Sequence, residues 1–121
     1  MTEGRFRIAA AADVHFTRTS QGMLQALFSN LAESADALLL CGDLTHHGLA
    51  EEAAALAKEL SFLRIPIVSV LGNHDHHSDQ QEQIHRIMID AGVHSLDGDA
   101  VEIGGVGFAG VAPVAAATAC L

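Results

Sequence analysis

Three short segments carry the side chains best suited to chemistry: Asp13-Val14-His15, Gly42-Asp43-Leu44-Thr45 and Gly72-Asn73-His74-Asp75. They recur about 30 residues apart. Together they offer carboxylates, imidazoles and an amide oxygen. This donor mixture suits Mn, Fe, Zn, Ni or Co without choosing among them. Residues i and i+2 of an extended segment point to the same side, so Asp13 and His15 can meet one ion. Asp43 can place a carboxylate between two ions, and Asn73 and His74 add a neutral oxygen and an imidazole. Two ions about 3.5–4 Å apart can hold a bridging hydroxide and clamp a phosphate for in-line attack. Taken singly, such residues read as turn and cap chemistry, because Asp and Asn close turns. Their joint occurrence points to metal.

The elements that must position them follow from the apolar pattern. Each motif comes after a short apolar run that reads as a buried strand: residues 6–12, 36–41 and 65–71. In open α/β sheets, ligands bind beyond the carboxyl ends of the strands, so the three motifs face one crevice. Helical spacing predicts helices over 21–33, 49–63 and 78–91. The first turns Met23, Leu24, Leu27, Phe28 and Leu31 to one face. The second turns Ala53, Leu56, Leu60 and Leu63 inward and leaves Glu51, Glu52 and Glu59 as a solvated acidic face. The third is expected to be capped by Ser78, with Gln81 in capping-box position, and ended by Gly92. The resulting β-α-β-α-β-α order implies parallel strands. A short strand at 94–96 follows, and then runs at 100–103 and 106–111 flank Gly104-Gly105, a two-residue hairpin signal. The fold class is α/β, a parallel βαβαβα half followed by a β-hairpin.

Length and charge exclude several functions. At 121 residues the chain is a single domain or part of one. Its net charge is −9 with only six Lys plus Arg, so it has no basic stripe for nucleic acid. Five Phe and no Trp or Tyr leave little to stack bases on. No apolar run approaches the roughly 20 residues of a membrane span, and residues 1–7 lack the apolar stretch of a signal peptide. A cytoplasmic location and no membrane partner are expected. Cys41, inside an apolar run, reads as a small buried hydrophobe, Cys120 as a free thiol, and no disulfide framework is implied. Met23 and Met88 read as core filler. His46-His47 read as loop residues before the second helix that could line the rim of the pocket, and His76-His77 as loop residues for which rim contact is the lesser reading.

In order and spacing, the three motifs resemble the first three blocks of the calcineurin-like metallophosphoesterases, over about residues 7–111. Gly-Asn-His-Asp after a β-branched strand is the specific part of the match. The resemblance implies two packed mixed sheets flanked by helices. It also implies hydrolysis of phosphomonoesters, phosphodiesters or phosphoanhydrides with two divalent transition-metal ions (Mn, Fe, Zn, Ni or Co). By it, Asp13 and His15 bind the first ion, Asp43 bridges both and Asn73 binds the second. His74 contacts the phosphate ester and protonates the leaving oxygen, oriented by Asp75.

Two later blocks of the family, an isolated His and a Gly-His-x-His, have no counterpart after Val111. Four of the seven metal ligands of the family pattern are therefore present. The expectation is one incomplete domain, motif-bearing over 6–111, with 112–121 an atypical tail. Two rival readings accompany the enzyme: a catalytically weak or inactive remnant, and an interaction module completed by a partner chain. Uncovered sheet surface is expected to promote self-association.

Overall fold

The computed structural model describes residues 5–20, 22 and 24–111. Met23, the side chain of Leu27, Cys120 and the tail at 112–121 lie outside the described residues. Four strands, β1 (Ile8–Ala11), β2 (Ala37–Cys41), β3 (Ile67–Val70) and β4 (His94–Ser95), form one parallel sheet in chain order. A hairpin, β5 (Asp99–Ile103) and β6 (Val106–Gly110), forms a second, antiparallel sheet. Its turn is Gly104-Gly105, with φ of +59° and +81°, a left-handed pair that residues with a Cβ adopt poorly. The architecture is α/β, as expected.

The all-apolar β2 has work on both faces. Leu38 and Leu40 pack with Leu56 and Leu60 of α3 (Ala50–Leu60) and Ile84 and Met88 of α4 (Gln81–Asp90). Leu39 points to the opposite face, where Val68, Val70, Leu96 and Phe108 bring the hairpin down on the sheet. Burying a Leu or Phe side chain stabilises by about 1.5–3 kcal/mol. The two clusters together hold the ends of β1, β2 and β3 side by side.

Four local expectations are corrected. In place of the helix expected over 21–33 stand two single turns, α1 (Gln25–Phe28) and α2 (Leu31–Ser34), preceded by a separate 3-10 turn (Arg18–Ser20). Ser29 and Asn30 interrupt the expected helix, residues whose side chains compete for backbone groups. Turns this short are held by packing of Leu24, Phe28 and Leu31 on the core rather than by helix propensity. Ser78 does not cap α4, because its hydroxyl donates to the His47 carbonyl at 2.8 Å and the N-cap position falls to Gln80. Gln80 Oε1 instead accepts from Ala50 N at 2.7 Å, tying the starts of α3 and α4 together.

The acidic face of α3 is only partly solvated. Glu52 and Glu59 are 2% and 4% exposed. Glu52 Oε1 folds back onto the N–H groups of His47 (2.8 Å) and Leu49 (3.3 Å), and Glu59 Oε1 accepts from Gly22 N at 2.9 Å. Cys41 is exposed rather than buried. It lies one register step from Leu39 on the hairpin side, at the edge of a cavity of about 280 Å³ between β2, β3 and β6. Among the described residues no helix is long and apolar enough to cross a membrane.

Candidate metal centre

Beyond the sheet, the first two motif loops run alongside each other. Asp13 N, His15 N and Phe16 N donate to the carbonyls of Gly42 (3.3 Å), Asp43 (2.9 Å) and Leu44 (2.9 Å). Asp13, His15 and Asp43 have φ of 56°, 50° and 51°. Left-handed backbone is uncommon outside glycine, though Asp, Asn and His enter it more readily than most. Asp13 and His15 therefore converge through two left-handed bends and not through the extended geometry expected for residues i and i+2.

The convergence is close. His15 Nε2 lies 3.9 Å from Asp13 Oδ1 and 3.9 Å from Asp43 Oδ2. The donor atoms of Asp13, His15 and Asp43 all fall within 4.8 Å of one another. Asp43 is half-buried, and its Oδ1 accepts the backbone N–H of His74 at 2.9 Å. This contact joins the second motif to the third. It depends on Gly72: a Cβ there would collide with the amide nitrogen and the carboxylate of Asp43. Asn73 begins the 3-10 turn Asn73–His76 next to that amide and is exposed.

Asp75 stands elsewhere than expected. It is fully buried beneath the loops. Its Oδ1 accepts from Thr45 N (2.8 Å) and Thr45 Oγ1 (2.7 Å), and its Oδ2 accepts from Leu44 N (3.1 Å) and Gly72 N (2.8 Å). These bonds bind the second and third motif loops to each other. His74 is oriented by a different group, since its Nδ1–H donates to the His46 carbonyl at 2.8 Å. A carbonyl can only accept, so Nδ1 carries the proton and Nε2 is left as the other working atom.

His46 is the residue that sequence reasoning missed. Its Nδ1 is 3.2 Å from His15 Nδ1, and with His15 and His74 it makes a second set of donors within 4.8 Å. His47 and His77 extend the row of rings, 4.5 Å from His46 and 4.6 Å from His74 between centroids. His47 is anchored through Nδ1–H to Glu52 Oε2 at 2.8 Å. Burial pushes the Glu52 carboxyl up, but the His47 ring and the His47 and Leu49 N–H groups outweigh it and leave it below its ordinary value. Adjacent histidines after a Gly-Asp-Leu-Thr loop, with an acid five residues on, were the only signal in the sequence.

Mixed carboxylate and imidazole donors of this kind fit a borderline divalent cation. The profile of the calcineurin-like phosphoesterases matches residues 6–108. The chain belongs to that family. The family is one of metal-dependent phosphoester hydrolases, and the Asp13/His15/Asp43 set is a site able to hold a metal ion. Among solved structures, the chain is similar to the protein of unknown function AQ665 from Aquifex aeolicus, with 17% identity and a TM-score of 0.46. The match covers 85% of this chain and 58% of that one, so the chain spans less than two thirds of its relative's length. No curated protein matches the chain.

Proposed function

We propose that this protein hydrolyses phosphomonoesters or phosphodiesters at the crevice formed by the three motif loops, in the cytoplasm, with two divalent transition-metal ions. Asp13 and His15 would hold the first ion, Asp43 both, and Asn73 the second. The observation that carries this reading is the position of Asp43, whose two oxygens reach toward His15 on one side and the His74 amide on the other. When bound, such ions polarise the phosphoryl group and lower the pKa of water enough to make a nucleophile at neutral pH.

The chain's own residues do the rest. The carboxylates of Asp13 and Asp43 would be neutralised by the bound cations, which lets an acidic protein accept an anionic ester. The His46 carbonyl fixes the Nδ1–H edge of His74, so Nε2 is the atom that would donate a proton to the leaving oxygen. Asp75 and Gly72 keep the second and third loops in register, and so keep Asp43 and His74 at working distance. The buried Glu52, through His47, steadies the loop that supplies the His46 carbonyl.

The test is hydrolysis of p-nitrophenyl phosphate and its bis ester. Turnover is expected with Mn²⁺ or another divalent transition metal and is expected to vanish on chelation. Turnover that survives exhaustive chelation would overturn the proposal.

A further inference from the structure

The two edges of the His15 ring face different chemistry. Its Nε2 looks toward two carboxylates, at 3.9 Å from Asp13 and 3.9 Å from Asp43. Its Nδ1 looks toward His46 Nδ1 at 3.2 Å. A zinc ion binds imidazole nitrogen at about 2.0–2.1 Å in tetrahedral geometry, which sets neighbouring donors about 3.3 Å apart. The His15–His46 separation matches that edge. His74 is the third member, with its ring centroid 4.3 Å from that of His15. Its Nδ1–H is already given to the His46 carbonyl, the outer hydrogen bond that ligating histidines usually make, and its Nε2 lone pair is left available.

We propose that His15, His46 and His74 form a second, all-imidazole metal site that selects Zn²⁺-like ions and competes with the carboxylate-rich site for His15. Imidazole donors suit Zn, Cu and Ni, whereas carboxylate and amide oxygens suit Mn and Mg. A neutral imidazole has one lone pair, so His15 serves one set at a time. Zn²⁺ in the imidazole site takes both His15 and His74 away from phosphoester chemistry. Excess zinc is therefore an inhibitor of this protein, and His46 is the residue through which it acts.

Calorimetry on the purified protein separates the two sites without reference to turnover. His46→Gln is expected to weaken Zn²⁺ binding at least tenfold and to change Mn²⁺ affinity by less than twofold. His77→Gln, which removes the exposed ring stacked on His74 but no proposed donor, is expected to leave both affinities as they are. Zn²⁺ and Mn²⁺ affinities that fall together in His46→Gln, or a Zn²⁺ affinity that does not fall, would overturn the proposal. So would an equal loss of Zn²⁺ affinity in His77→Gln, which would mean a generic histidine patch. The phosphoesterase reading is judged separately by Mn²⁺-dependent turnover of the nitrophenyl esters, so either can fail alone.

Discussion

Replacing Asp75 by Asn keeps the shape of the side chain and alters only what its second oxygen can accept. In the native protein each carboxylate oxygen takes two donors, Thr45 N and Oγ1 at one and Leu44 N and Gly72 N at the other. An amide keeps one accepting oxygen, so two buried donors lose their acceptor and face an NH₂ group. Hydrogen bonds to charged groups contribute about 1.5–3 kcal/mol each, and neighbouring ones do not add in full. The expected loss is about 3–4 kcal/mol, against the roughly 5–15 kcal/mol that holds a domain together. With a urea dependence of about 2 kcal/mol per molar, the unfolding midpoint should drop by about 1.5–2 M. Far-UV circular dichroism in urea measures it directly. Had Asp75 served mainly to orient His74, the variant would keep its stability and lose only turnover. A midpoint within about 0.3 M of the parent, beside a slow enzyme, would refute the assignment of Asp75 to loop fastening.

Four other substitutions probe the remaining contacts. Gly72→Ala should weaken Mn²⁺ binding at least tenfold by calorimetry, because the new methyl displaces the Asp43 carboxylate; an unchanged affinity would mean that Asp43 is not held there for metal. Asp43→Asn should remove more metal than His74→Ala, and His74→Ala should keep metal while losing about 10²–10⁴-fold in rate, less with good leaving groups; metal analysis and nitrophenyl ester kinetics separate the two. Glu52→Gln should destabilise in a pH-dependent way. The folded-state pKa of Glu52 is depressed, so its stabilisation is present above the ordinary value of 4.5 and is lost as pH falls through the lower folded value. The stability gap between parent and variant, read from urea melts, should thus be full at pH 7 and close below about pH 4.5; a gap constant down to pH 3 would contradict this.

The parts of the fold that repeat locally were legible. The apolar runs ending at Asp13, Asp43 and Asn73 and the Gly104-Gly105 turn could be read because strand burial and hairpin geometry leave short-range marks. Several of the parts that stayed hidden rest on contacts between residues about 30 positions apart. Asp75 reaching Leu44 and Thr45, Ser78 reaching His47 and Gln80 reaching Ala50 have no local period. The spacing of Glu52 and Glu59 places them on the outer side of an amphipathic helix, yet backbone donors from neighbouring loops draw both carboxylates inward. His46 was passed over because a loop histidine carries no period at all, and only the meeting of two loops sets it against His15.

The left-handed backbone at Asp13, His15 and Asp43 sets heat tolerance against ion capture. A residue with a Cβ in that region gives up about 1–2 kcal/mol, whereas glycine is at ease there and costs only about 0.5–1 kcal/mol in lost chain freedom. In metal-free buffer Asp13→Gly should therefore melt slightly above the parent, while binding less Mn²⁺. Asp, His and Asp at these bends give up that stability for side chains that can hold an ion.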